Sequence, residues 1–183
     1  MNEKINLILK EIASVLSHVS QKDSDELINT ILTSKKIVVC GAGRVGMAIR
    51  GFGMRLGHFG LNAFTIGDST VPSIGKGDLL IVASGSGETQ TIYDLVTIAS
   101  KNGATIAAVT ANPESRIAKL SNVKVIINAP SKTKAVEGIV SMQPMTTLNE
   151  QSLGIFFDAI VLKMMDKINE THETMWARHS NLE

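Results

Sequence analysis

Residues 79–89 of the chain are Leu-Leu-Ile-Val-Ala-Ser-Gly-Ser-Gly-Glu-Thr, and a helical pattern follows from Thr91 to Ala99. The apolar run at 79–83 is too short for a membrane span and is rich in branched side chains, which is typical of a buried parallel strand. A buried strand, a glycine-rich loop and a helix in this order predict one unit of an α/β fold.

The loop after this strand has the composition of an anion-binding site. Gly85 and Gly87 let the backbone approach a ligand closely, and the hydroxyls of Ser84, Ser86 and Thr89 lie beside the first free N–H groups of the helix. The helix dipole adds roughly half a positive charge at this end, so a phosphate needs no lysine here. An ordinary strand-to-helix turn is the alternative, although such turns seldom need so many glycines and hydroxyls.

The same order of strand, loop and helix recurs along the chain. Two amphipathic helices come first, one through Ile5 to Val19 and one with a possible capping start at Asp23 and Glu26. A last helix is expected from about Leu148 to Ile168. Strands are predicted near 36–40, 61–66, 79–83, 104–110 and 123–127, and helices near 45–58, 89–101 and 114–120. This alternation predicts a three-layer αβα sandwich of about five parallel strands, flavodoxin-like in type.

Composition excludes several classes of protein. The chain has 183 residues, 44% of them hydrophobic, which suits a single domain with a full-sized core. The net charge is +1 and the two signs are interspersed, which argues against nucleic acid or an anionic membrane as the partner. Charged residues within 1–19 exclude a signal peptide or a span there, so we expect a cytoplasmic protein. The single cysteine, Cys40, is expected to be a small buried apolar residue, and it excludes an intrachain disulfide or a cysteine-based metal cluster.

Two segments are unusual for a small α/β domain. The connection from Asn128 to Met145 is long, and long loops of this kind are usually functional or disordered. The tail from Asn169 to Glu183 carries the only tryptophan, Trp176, followed by Arg178-His179. We expect this tail to pack either on its own chain or on a neighbouring subunit.

The first glycine loop, Gly41-Ala42-Gly43-Arg44-Val45-Gly46, supports two interpretations. It matches the dinucleotide pattern G-x-G-x-x-G, and Asp68 follows the next strand about where a ribose-binding acid would lie. However, Arg44 brings a fixed cation into the loop, and arginine suits bidentate capture of phosphate. We therefore expect Gly43 and Arg44 to face the same phosphosugar as Ser84 to Thr89, at the carboxyl edge of the sheet.

Seven stretches of the chain together form a recognisable pattern: Gly41-Ala42-Gly43-Arg44, Met54-Arg55-Leu56-Gly57-His58, Gly77-Asp78-Leu79-Leu80-Ile81, Ser84 to Thr89, Gln143-Pro144-Met145, Asn149-Glu150-Gln151 and Arg178-His179-Ser180-Asn181-Leu182-Glu183. They resemble the sugar isomerase (SIS) domain family and, more closely, its 6-phospho-3-hexuloisomerase branch. The resemblance runs nearly end to end and includes both unusual segments. It departs at Val45, where the family usually has serine, and at Asp68, where glutamate is common.

The resemblance implies a metal- and cofactor-free interconversion of D-arabino-hex-3-ulose 6-phosphate and D-fructose 6-phosphate through a cis-enediolate. It implies Glu150 as the base, although Thr147 to Glu150 also fits a capping box in which Glu150 would bond to the Thr147 N–H. It implies His179 as a second catalytic group reaching from another subunit. It further implies a homodimer or homotetramer that assembles through the helices at 3–33 and 147–183.

Other functions remain possible from the sequence. A related aldose–ketose isomerase could use the same loops and the same base. A non-catalytic phosphosugar sensor usually needs an output module, and no segment of the sequence is left over to form one. His58, at the expected end of the first-loop helix, could equally be a favourable C-terminal charge or a substrate contact.

Overall fold

The computed structural model describes residues 1–131, 136 and 138–182. The helices are α1 (Asn2–Leu16), α2 (Gln21–Thr33), α3 (Gly43–His58), α4 (Gln90–Lys101), α5 (Arg116–Leu120), α6 (Thr147–Ile168) and α7 (His172–Trp176). The strands are β1 (Ile37–Gly41), β2 (Ala63–Thr65), β3 (Leu79–Ala83), β4 (Thr105–Thr110) and β5 (Val123–Ile126).

The five strands form one parallel sheet in the order β2-β1-β3-β4-β5, which confirms the predicted α/β class. The chain moves outward from β1 to β2 and then returns to the other side of β1 with β3. Gly41 and Ala83, at the carboxyl ends of β1 and β3, are register partners. This reversal of strand order opens a crevice at the carboxyl edge of the sheet, where such folds bind their ligands.

Helices cover both faces of the sheet, as the three-layer prediction requires. On one face α1, α2, α3 and α6 form the larger core, in which the rings of Phe52 and Phe157 stack with centroids 4.5 Å apart. On the other face α4 and α5 pack through Ile92, Val96 and Ile117. Both surfaces of β3 are therefore buried, which explains its unbroken apolar sequence.

The second helix begins earlier than predicted. Ser20 is its N-cap, and its hydroxyl accepts a hydrogen bond from the Asp23 N–H at 3.2 Å. The predicted start at Asp23 is therefore wrong by a few residues, because serine accepts the cap bond here.

Cys40 is buried at the end of β1, as expected. Burial raises the pKa of its thiol to about 11, so the thiol stays protonated at neutral pH and behaves as an apolar side chain. Among the described residues, no helix is both long and apolar enough to cross a lipid bilayer.

The C-terminal tail packs on its own chain, in part through Arg178. Arg178 binds the Glu170 carboxylate at 2.8 Å and donates to the carbonyl oxygen of His58 at 2.7 Å. The short helix α7, which the sequence did not predict, buries Met175 but leaves Trp176 64% exposed. Glu183 lies outside the described residues.

The end of the long connection at 128–145 is attached to the first helix. Glu11 of α1 accepts hydrogen bonds from the Ser141 hydroxyl at 2.7 Å, the Met142 N–H at 2.9 Å and the Gln143 amide at 3.0 Å. Burial raises the pKa of this carboxyl, but the three donors outweigh burial and the pKa is lowered overall. Lys132 and Lys134 of the same connection lie outside the described residues.

This attachment should depend on pH. Because the pKa of Glu11 is lowered in the folded chain, the attachment contributes stability above the usual pKa of glutamate and loses it as pH falls through the folded value. Glu11→Gln should speed exchange of the Met142 amide hydrogen by about tenfold at neutral pH. The difference should vanish in acid, and Glu3→Gln, in the first turn of the same helix, is the control. Equal exchange in wild type and Glu11→Gln at neutral pH would contradict the assignment.

Candidate active site

A cleft of about 240 Å³ opens at the carboxyl ends of β1 and β3. Four segments contribute to it: the first glycine loop (41–46), the serine-rich loop (84–89), the segment after β5 and the start of α6. All the predicted site residues except His179 lie on it. The lining residues are Ala42, Gly43, Arg44, Val45, Ala83, Ser84, Gly85, Ser86, Thr89, Ile92, Ser131, Thr146, Asn149 and Glu150.

The serine-rich loop is held in shape by its own hydroxyls. Ser84 is buried, and its Oγ accepts from the Gly87 N–H at 3.1 Å and lies 3.0 Å from the Thr89 hydroxyl. Ser86 Oγ accepts from the Glu88 N–H at 3.2 Å. The loop leads directly into α4, whose N-cap is Thr89, so the positive end of that helix faces the cleft.

Two glycines of this loop are required by their surroundings. A Cβ on Gly85 would lie 2.6 Å from the side-chain oxygen of Asn149, and one on Gly87 would lie 2.0 Å from the hydroxyl of Ser115. Gly87 also has φ of +65°, a conformation that L-residues rarely adopt. The loop therefore packs against α5 on one side and the start of α6 on the other.

Glu88 of the same motif points to a neighbouring helix. Its carboxylate accepts from the Arg116 side chain at 2.7 Å and from the Arg116 N–H at 2.9 Å. These hydrogen bonds from Arg116 lower the pKa of Glu88. Glu88 thus fastens the loop to the start of α5.

Glu150 is held by side chains of the cleft. Its carboxylate lies 3.0 Å from Arg44 Nη1 and accepts from the Thr146 hydroxyl at 2.8 Å, and its side chain is 16% exposed. The Thr147 N–H instead donates to the carbonyl of Pro144 at 3.2 Å. The capping-box interpretation of Thr147 to Glu150 is therefore wrong, because α6 begins so that Glu150 faces Arg44.

His179 lies in a different pocket of its own chain. Its ring centroid is 5.2 Å from that of His58 and 5.0 Å from that of Trp176, in a pocket of about 210 Å³. His58 ends α3, whereas Gly43 of the cleft begins it, and a helix of that length rises by roughly 22 Å. Within one chain His179 is thus remote from Glu150, and its predicted reach into another subunit stays a prediction.

The structure does not place Asp68, the acid expected to bind a ribose in the dinucleotide interpretation, in the cleft. Asp68 is exposed and does not line the cleft, and its backbone N–H donates to the carbonyl of Thr65. Packing explains Gly46 instead, since a Cβ there would lie 2.7 Å from the carbonyl oxygen of Gly41. The G-x-G-x-x-G match reflects the close approach of β1 and α3.

Sequence reasoning missed three polar residues of the cleft. Asn149 is buried beside Gly85, Thr146 binds Glu150, and Ser131 brings the segment after β5 to the cleft. The one sequence signal that Thr146 and Asn149 belong to the cleft is that they lie close to Glu150 in the chain. Among the residues that the structure describes, no group of three or more histidine, cysteine or acidic side chains is placed to hold a metal ion.

The sequence profile of the SIS domain matches residues 30–154. The chain belongs to the SIS domain family. This SIS domain is 38% identical over 181 residues to a 3-hexulose-6-phosphate isomerase of Bacillus subtilis, covering 99% of this chain and 98% of the relative. It is 39% identical to a 3-hexulose-6-phosphate isomerase of Mycobacterium gastri, covering 100% of this chain and 92% of that one.

A solved structure agrees with these relatives. A Methanococcus jannaschii protein, whose crystal structure inferred a function of 3-hexulose-6-phosphate isomerase, superposes on this SIS domain with a TM-score of 0.86. The two sequences are 27% identical, and the alignment covers 99% of each chain.

Proposed function

We propose that this SIS domain interconverts 3-hexulose 6-phosphate and fructose 6-phosphate. One observation carries the proposal: the Glu150 carboxylate shares a cleft of about 240 Å³ with the serine-rich loop at the start of α4. An anion site beside a carboxylate suits a reaction in which the phosphate is held while a neighbouring carbon loses a proton. Relatives named 3-hexulose-6-phosphate isomerase over nearly the whole chain support this substrate.

The phosphate would bind at the serine-rich loop. The free N–H groups at the start of α4 supply donors, and the hydroxyls of Ser84, Ser86 and Thr89 lie beside them. Gly43, at the start of α3, brings a second helix N-terminus to the same cleft. Binding energy at the phosphate then holds the reacting carbons near Glu150.

The reaction needs a single proton to move between neighbouring carbons. Glu150 would take the proton from C2 of the 3-hexulose, which gives a C2–C3 enediolate, and would return it to C3. The hydroxyl proton moves from O2 to O3 in the same direction of reaction, so the ketone passes from C3 to C2. Hydrogen-bond donors of the cleft would stabilise the enediolate.

We further propose that two copies of the chain complete each site. The exposed side of α3 and α6 carries a set of large apolar side chains: Met47, Met54, Ile155 and Leu162. A two-fold axis across these helices would pair them antiparallel, because an isologous interface brings the same patch of both copies together. The His179 end of one chain would then lie over the cleft of the other.

The direct test is an assay of fructose 6-phosphate formed from the 3-hexulose phosphate, with a chelator present. Turnover of this substrate together with slow or absent turnover of aldose phosphates supports the proposal. Turnover of an aldose phosphate alone would favour a different isomerase of the same family.

The phosphate loop should respond to loss of one hydroxyl. Ser86→Ala is expected to raise KM and lower kcat/KM by about tenfold, the effect of losing roughly 1.4 kcal/mol of interaction with a charged group. Ser100→Ala, an exposed serine near the end of α4, is the matched control. Unchanged kinetic constants in Ser86→Ala would remove that hydroxyl from the phosphate site.

A further inference from the structure

The Glu150 carboxylate is held at both of its oxygens. Thr146 Oγ1 donates to Oε1 at 2.8 Å, and Arg44 Nη1 lies 3.0 Å from Oε2. A carboxylate oxygen has two lone pairs, so each oxygen keeps one free to meet a substrate. The carboxylate is therefore oriented before any substrate arrives.

Arg44 is itself tethered to the helix that carries Glu150. The same Nη1 also donates to the hydroxyl of Thr147 at 3.2 Å. That hydroxyl in turn donates to the carbonyl of Pro144 at 2.7 Å. Arg44 thus joins the first turn of α3 to the first turn of α6.

The serine-rich loop offers an anion other donors. It has backbone N–H groups, hydroxyls and a helix dipole, whereas one terminal nitrogen of Arg44 already serves both Glu150 and Thr147. Nη1 has two N–H groups and two partners, so a phosphate bound through Nη1 would displace Glu150 or Thr147 from it.

We propose that Arg44 and Thr146 are positioning residues that aim the Glu150 carboxylate at the reacting carbon, and that Arg44 is not a phosphate ligand. This inference rests on the isomerase function proposed above. A misplaced base costs rate more than affinity, because its alignment matters in the transition state. The roles of Arg44 and the serine-rich loop are thus separable by kinetics.

The test compares kcat, KM and inhibition by inorganic phosphate in Arg44→Gln, Arg44→Lys and a control. Arg44→Gln should lower kcat by about 30- to 100-fold and leave KM and the phosphate inhibition constant within about threefold. Arg44→Lys should recover part of kcat, because an ammonium keeps the charge but lacks the planar fork. Arg50→Gln, on the same helix with a bond to the Ile66 carbonyl, should match the wild type.

A substitution at Thr146 tests the positioning role independently of Arg44. Thr146→Val keeps the shape and removes the bond to Glu150, so kcat should fall with the phosphate inhibition constant unchanged. The double variant Arg44→Gln/Thr146→Val should lose less than the product of the two single losses, because both residues orient one carboxylate.

Two results would overturn the inference. A tenfold rise of KM and of the phosphate inhibition constant in Arg44→Gln, with or without loss of kcat, would make Arg44 a phosphate ligand. An unchanged kcat would remove its positioning role. Circular dichroism checks the fold, and Arg44→Lys carries the same comparison if Arg44→Gln is unfolded. Failure of the isomerase function would appear separately, as inactivity of the wild type.

Discussion

Replacing Glu150 by glutamine is expected to lower kcat by about 10²- to 10⁴-fold while the chain stays folded. Glutamine keeps the size of the side chain and an oxygen for the Thr146 hydroxyl, but it cannot take a proton at neutral pH. The loss therefore falls on proton transfer. KM should change little, because the serine-rich loop, where we propose that the phosphate binds, is untouched.

Incorporation of solvent deuterium into the product tests the proton-transfer step itself. Wild-type enzyme in deuterated water should place solvent deuterium in the product, and Glu150→Gln should not do so at a comparable rate. Asp166→Asn, an exposed acid near the end of α6, is the matched control and should behave as wild type. A folded Glu150→Gln enzyme with more than about half of the wild-type kcat would rule out Glu150 as the base.

Mixing two inactive variants should restore activity if the site is shared between subunits. His179→Ala and Glu150→Gln chains would each be nearly inactive alone. Random mixing gives half of the dimers one chain of each kind, and one of the two sites in such a dimer is intact. About a quarter of the wild-type activity is therefore expected.

The complementation also tests the geometry of the tail. His179 and the cleft lie at opposite ends of α3 in one chain. If His179 nevertheless acted within its own chain, every site in the mixture would lack either Glu150 or His179, and no activity would return. A chain lacking residues 172–183 should likewise fold, turn over poorly and be rescued by Glu150→Gln chains. Size exclusion of differently tagged chains confirms that mixed oligomers have formed, and His18→Ala, an exposed histidine in the turn after α1, is the control. Mixed oligomers without activity would remove His179 from the site.

Local patterns were enough to predict the strands and most helices. The run at 79–83 is apolar because both sides of β3 are covered, and the following glycines and hydroxyls form the serine-rich loop before α4. Where local signals competed, prediction failed by a few residues, as at Ser20 and Asp23. The short helix α7 was missed because its five residues are too few to show a helical period.

The sequence by itself determined the fold class and the position of the serine-rich loop between β3 and α4, since hydrophobic periodicity and turn chemistry are encoded within a few neighbouring residues. Only the tertiary structure decided which strand ends meet and what Glu150 contacts. Arg44 and Thr147 are 103 residues apart in the chain, yet they bond because β1 and β3 are neighbours and α3 packs beside α6. Such a pairing depends on how the whole chain buries its apolar faces, so no local pattern distinguished a capping glutamate from one held by Arg44 in the cleft.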